Sequence, residues 1–296
     1  MSETLLWGVP SFWIERFPLY YGKHLGIFSA QGIRLRIRYY WGGPELARAM
    51  AGGEVMIGEM GMPPFLRAYS EGLPAKVIGS SVIQQLDHYL VGRPEILGLE
   101  SLKGRKVGIL SPGSCDDYFA RSMLRAAGVD PDRDVQLVPL GSAYGEVRCF
   151  DPQAPGHLPQ VEAGFLVEPF VARGEQLGLV KVLASVRDYY PRYQWGIILA
   201  TEKAVADRLD LLKAAMAAFR KSSQAVAADP EAAAAYGAQV FGLPKSVFRR
   251  ALMRDLEHWE LDARLDRQGL ENCLRVQTEM GCAEPGLEVD RFCRQL

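Results

Sequence analysis

Residues 101–142 read SLKGRKVGILSPGSCDDYFARSMLRAAGVDPDRDVQLVPLGS, and the order of apolar and polar residues in this stretch decides the fold class. Lys106–Leu110 is a short, partly β-branched run closed by Ser111-Pro112-Gly113-Ser114, the pattern of a buried strand. Asp116–Ala127 then places apolar residues at helical spacing, and Gly128 stands where a C-cap glycine belongs. Val135–Leu140 is a second apolar run, closed by Gly141-Ser142. Strand, helix and strand in that order make a crossover unit with parallel strands.

Working outward, the same alternation fills the first two hundred residues. Further strand-like runs are Leu5–Val9, Ile33–Tyr40, Val55–Gly58, Lys76–Val82, Tyr89–Val91, Phe165–Val167, Val180–Ala184 and Trp195–Ala200. Helical spacing marks Trp13–His24, Pro44–Ala51, Pro63–Glu71 and Phe170–Leu177. Pro44 and Pro63 sit where a first helical turn begins, a position that needs no backbone N–H, and Gly178 follows a last turn. The expectation is an α/β protein with parallel sheets. After residue 200 the chain is helical throughout, with no new strand.

The length of 296 residues exceeds what one core needs, so two domains are expected. Turn-rich segments at Gly92–Gly104 and Tyr189–Trp195 mark the boundaries. They divide the chain into a discontinuous lobe one, residues 1–91 plus 197–296, and an inserted lobe two, residues 92–196, joined by two crossing strands.

Lys and Arg total 34 against 35 for Asp and Glu, which leaves no electrostatic footprint for nucleic acid or an anionic membrane. No apolar run is long enough to span a bilayer, so no membrane insertion is expected. MSETLLWGVPSFW lacks the features of a secretory signal, so the chain as written reads as cytoplasmic, and as periplasmic if a signal has been trimmed. Cys115, Cys149, Cys273, Cys282 and Cys293 form no C-x-x-C, which argues against a disulfide framework or a metal site. Unpaired thiols fit a reducing compartment better than an oxidising one. There is no P-loop and no G-x-G-x-x-G, and no cofactor is expected.

In open α/β sheets ligands bind beyond the carboxyl ends of strands. Five strand-to-helix turns qualify: Val9–Trp13, Tyr39–Gly43, Glu59–Met62, Ser111–Ser114 and Gly141–Tyr144. They combine glycine, which admits close approach of a ligand, with serine hydroxyls and flat aromatic faces. Such a lining suits a small molecule with a polar or acidic head and an apolar or aromatic body. Trp13 and Trp41, at strand ends, are the leading aromatic candidates, while Trp7, Tyr39 and Tyr40 divide between core and cleft. Ser114 reads equally as an N-cap, and Asp116 and Asp117 complement the helix dipole.

Signals for catalysis are sparse. Glu59 ends a strand and is a candidate buried base; the plainer reading is a helix cap or a surface carboxylate. Cys115 opens a helix whose N-terminus favours the thiolate, and His88 is the histidine that would pair with it, although nothing in the sequence brings the two together.

Gly42–Ser80 (GGPELARAMAGGEVMIGEMGMPPFLRAYSEGLPAKVIGS), Ser101–Ser142 and Val161–Gly178 (VEAGFLVEPFVARGEQLG) together resemble the type 2 periplasmic substrate-binding proteins. The branch that includes binders of alkanesulfonate, nitrate, taurine and thiamine-pyrimidine precursors is the most similar. The resemblance covers residues 4–230 and implies a two-lobed Venus-flytrap fold with ligand held in the interlobe cleft, here followed by a helical C-terminal extension. By matching position it assigns ligand contact to Ser11, Phe12, Trp41, Gly42, Gly61, Met62, Ser111, Gly113, Ser114, Ser142 and Glu168, with Gln84, Asp87 and Tyr89 as further candidates. The chain departs from the family at Arg148–His157, where a Pro-rich stretch replaces the usual pattern, and it lacks the cysteine-rich motif of pyrimidine-synthesising enzymes. The expected function is capture of a small organic molecule for an ABC transporter, with an ABC permease as partner. The alternative is a cytosolic enzyme on the same fold, a decarboxylase or lyase of a small aromatic acid, using Glu59, Cys115 or His88. A ligand sensor without a transporter would share the binding protein's sequence features.

Overall fold

A computed structural model of the chain describes residues 2–10, 13–84, 88–154 and 156–296, apart from the side chain of Ser142. It divides into two units. One comprises Met1–Leu86, Arg192–Lys245 and Leu252–Leu296, and the other Asp87–Pro191 with Ser246–Ala251.

The first unit is built on a sheet of β1 (Glu3–Val9), β2 (Ile33–Tyr39), β3 (Ile57–Gly61), β4 (Ala75–Ser80) and, from much later in the chain, Gly196–Thr201. The second unit's sheet holds β5 (Tyr89–Gly92), β6 (Lys106–Ile109), β7 (Gln136–Pro139), β8 (Ala163–Leu166) and β9 (Lys181–Ser185), which makes the late strand of the first unit β10. The strand orders are β2-β1-β3-β10-β4 and β7-β6-β8-β5-β9. All ten apolar runs read from the sequence form strands.

The helices of the early chain are α1 (Phe17–His24), α2 (Ile27–Ala30), α3 (Gly43–Ala51) and α4 (Met62–Ser70). Those of the second sheet are α5 (Cys115–Ala126), α6 (Phe170–Gln176) and α7 (Val186–Tyr189). The remainder are α8 (Glu202–Asp207), α9 (Leu209–Ala228), α10 (Pro230–Phe241), α11 (Lys245–Leu256) and α12 (Arg267–Glu279). Pro44 and Pro63 stand in the first turns of α3 and α4, as expected.

One expectation is corrected. The sheets are mixed: β10 runs antiparallel to β3 and β4, and β5 runs antiparallel to β8 and β9. A strand covered on both faces is apolar throughout whichever way it runs, so its residue pattern carries no direction. Every residue of β10 is buried.

Trp7 of β1 anchors the first core, stacked on Phe219 of α9 at 5.8 Å and edge-on to Phe28 of α2 at 6.4 Å. The opposite face of β1 is glycine where α3 crosses it, because a Cβ on Gly8 would lie 2.4 Å from Leu46 Cδ1. The chain's last residues run beside β4, with Val77 N–H donating to Phe292 O at 2.8 Å and Arg294 N–H to Val77 O at 2.8 Å. This covers an edge that would otherwise offer unpaired backbone groups. The second core gathers Tyr89, Leu140, Phe150, Leu166 and Val171.

Candidate functional site

In the first unit the parallel strands β1, β2 and β3 end on one edge of the sheet, and antiparallel β10 begins there, with Gly196 opposite Gly61. Backbone hydrogen bonds tie these turns to one another. Tyr40 N–H donates to Val9 O at 2.9 Å, and Gly42 N–H to Pro10 O at 3.2 Å. Met62 N–H donates to Trp195 O at 2.7 Å, and Trp195 N–H to Gln84 O at 2.8 Å.

One glycine is required by close approach, and a second packs against an aromatic ring. A Cβ on Gly43 would lie 2.6 Å from Pro64 Cβ, so the first turns of α3 and α4 meet. A Cβ on Gly61 would lie 3.4 Å from the Trp195 ring. Trp41 is 70% exposed, with its backbone N–H held by the Glu45 carboxylate. Tyr39 is also exposed, whereas Trp7 and Tyr40 belong to the core. The edge therefore carries Trp13, Trp41, Gly42, Gly61, Met62 and Gln84. Ser11, Phe12 and Asp87 lie outside the described residues.

Beneath this edge sits a cluster of buried charge. Glu59 of β3 is fully buried, which corrects its reading as a helix cap or surface carboxylate. Strand alternation turns it toward the short 3-10 segment Ile14–Arg16 that follows the β1 turn. Arg16 Nη1 donates to Glu59 Oε2 at 2.7 Å, and Arg16 Nη2 lies 2.5 Å from Glu15 Oε1, all three side chains being no more than 2% exposed. Burial pushes the Glu59 carboxyl up to about 7, with Arg16 opposing the rise. Burial, and after it the charge of Glu59, raises the Tyr20 hydroxyl on α1.

The corresponding edge of the second unit carries the ends of β6, β7, β8 and β9 and the start of β5. Ser114 caps α5, accepting from Asp117 N–H at 3.3 Å and, more weakly, from Ser111 N–H at 3.4 Å. Gly113 N–H donates to the Asp117 carboxylate at 2.8 Å. These donors serve the turn's own side chains, and both aspartates stand in the first helical turn, so the charge there opposes a strongly anionic ligand. Gly141–Ala143 forms a 3-10 turn after β7 that places the Ser142 backbone on the edge. Glu168 is fully buried and accepts from Ala172 N–H of α6 at 3.1 Å.

His88 is buried, with Nε2 at 3.9 Å from Asp116 Oδ1, one residue from Cys115, which is partly buried. Tyr89 accepts at its hydroxyl from Arg187 Nη2 at 3.0 Å, and that guanidinium lies 5.4 Å from the Tyr89 ring centroid. Among the described residues no group of three or more His, Cys, Asp or Glu side chains is placed to hold a metal ion.

Sequence reasoning missed Trp195, Arg187 and the Glu15–Arg16 pair. The parallel expectation hides Trp195, because it precedes a strand, whereas parallel strands turn toward a ligand at their carboxyl ends. Arg187 follows the carboxyl end of β9, so strand-end reasoning applies to it as well. Arg16 leaves no signal in the sequence, because it looks like any helical arginine until Glu59, 43 residues away, is brought against it.

The model of the family described as NMT1/THI5 like matches residues 13–233. The chain belongs to that family. In the curated "Putative binding protein YtlA" of Bacillus subtilis (strain 168), 151 residues align at 24% identity, covering 46% of this chain and 45% of that protein's length. The alkanesulfonate-binding protein SsuA of Xanthomonas axonopodis pv. citri, solved bound to MOPS, superposes with a TM-score of 0.76 at 16% identity, covering all of both chains. The periplasmic aliphatic sulphonate binding protein SsuA of Escherichia coli gives 0.76 at 19% identity, covering 100% of this chain and 94% of its own. The fold of this NMT1/THI5-like chain is thus that of the periplasmic binding proteins. Among the described residues no helix is long and apolar enough to cross a membrane.

Proposed function

We propose that this chain is a solute-binding protein that captures a small organic molecule with a polar or acidic head and an apolar or aromatic body. Strand-end turns contact the ligand, and a membrane-spanning ABC permease receives it from outside the cytoplasm. The observation that carries the reading is Trp41, a 70% exposed tryptophan presented on a turn that Gly42 and Pro10 hold to the neighbouring strand end. A solvent-facing indole held on a rigid support is a flat apolar platform for a ligand ring or chain. Tyr39 and Leu110, at the ends of β2 and β6, are likewise exposed. The sulfonate binders sharing the fold, and Arg187 at the second edge, support an acidic head.

The test is a thermal-shift and calorimetric screen of butane-1-sulfonate, benzenesulfonate, benzoate and simple pyrimidines. The expected affinity lies between millimolar and micromolar, about −4 to −8 kcal/mol. Ligand at a hundred times its Kd would stabilise the fold by about 2.7 kcal/mol. No stabiliser in any of these classes would count against the proposal. A second reading, an enzyme acting on a small aromatic acid, draws on the buried His88–Asp116 contact beside Cys115. Turnover lost in Cys115→Ser with binding retained would establish it.

A further inference from the structure

Three charged side chains are packed where solvent does not reach, and one of their contacts joins the 3-10 segment Ile14–Arg16 to β3. Arg16 lies three residues after Trp13 in the β1 turn, and Glu59 lies two residues before Gly61 in the β3 turn. Their 2.7 Å contact therefore fastens the segment that follows the β1 turn to the strand that precedes the β3 turn, across 43 residues of sequence. The guanidinium is shared with Glu15, so Glu59 receives only part of its charge. Glu59 Oε1 is buried with no hydrogen-bond partner among the described residues. The groups facing Glu59 are Glu15 and Arg16 from the 3-10 segment and Tyr20 from α1. Across the sheet its partner on β10 is Ile198, which offers no charge. A carboxylate so placed is better satisfied holding a proton than ionised.

We propose that the Arg16–Glu59 pair is a proton-operated clasp, with Glu59 as a positioning residue: the 3-10 segment Ile14–Arg16 and β3 are held together while Glu59 carries a proton and loosen when it is lost. The consequence for the site, which rests on reading the neighbouring strand-end turns as ligand-contacting, is a site better formed in mildly acidic solution. Opening the clasp hydrates Glu59 and returns it toward its ordinary carboxylate behaviour, so opening releases a proton and rising pH favours it. With Glu59 moving from 4.5 to about 7 on closure, the opening constant rises about 70-fold between pH 5 and pH 8.

Amide hydrogen exchange read by mass spectrometry tests this without any ligand. Segments 14–20 and 57–64 of the wild-type chain are followed from pH 5 to pH 8, corrected for intrinsic exchange, with β6 of the second unit as internal reference. The expected result is a parallel loss of protection in both segments, absent from the reference and abolished in Glu59→Gln. Segments that track the reference, or only one that responds, would overturn the clasp. Should Glu59→Gln fail to fold, the wild-type series decides by itself. The ligand screen and this experiment fail independently, so loss of one reading leaves the other standing.

Discussion

Replacing Glu59 by Gln removes a buried ionisable group while keeping its shape and an acceptor for Arg16. The wild-type carboxyl moves from 4.5 in the unfolded chain to about 7 in the folded one. A pKa raised by folding contributes stability that is fully present below 4.5 and lost as pH rises through about 7. The shift corresponds to about 3 kcal/mol between these limits. Other groups titrate in both proteins, so the quantity to follow is the difference between wild type and Glu59→Gln, in which they cancel. Urea unfolding read by tryptophan fluorescence at pH 5, 6, 7 and 8 supplies it. Wild type should lose stability relative to the variant as pH rises, by about 2 to 3 kcal/mol over this range, with most of the loss complete by pH 7. Parallel curves would show that Glu59 holds the same charge folded and unfolded, and would refute the reasoning on burial.

Other perturbations follow from the same structure. Gly196→Ala puts a Cβ 1.9 Å from Ser81 Oγ and 2.9 Å from the Ile83 carbonyl, so thermal denaturation should show a loss of about 3 kcal/mol or more. Adding Ser81→Ala should recover only part of it, since the backbone clash remains. Trp41→Ala should weaken binding of the best ligand from the screen at least tenfold by calorimetry while leaving the melting temperature nearly unchanged, because the ring is 70% exposed. Ser114→Ala should cost about 1 kcal/mol in urea unfolding through loss of the α5 cap. Burial pushes Cys273 and Cys293 up to about 12, and raises Cys149 as well. These three thiols should resist Ellman's reagent at pH 8 until the protein is denatured, with reaction in the native state confined to Cys115 and Cys282.

The strands, the early helices and most strand-end turns were legible because their signals are local. Lys106–Leu110, Ser114 and Gly128 each declare their place within a few residues, through apolar period, capping hydroxyl and C-cap glycine. From those turns the sequence also led to Trp41, Gly42, Gly61 and Met62, which the fold sets on one sheet edge. Glu59 was singled out correctly as a potential buried acid, yet its plainer surface reading was wrong, since burial depends on what lies opposite.

Composition and spacing determined that this chain makes two sets of strands and crossover helices, with glycine-rich and aromatic turns at the strand ends. The tertiary structure alone decided the direction of β5 and β10, and so placed Trp195 beside the strand-end turns of the first sheet. It also brought Arg16 of a 3-10 segment against Glu59 of β3. The physical reason is one of range: side-chain period and capping act over a few residues, whereas strand direction and the pairing of buried charges are settled by contacts between segments that only packing brings together.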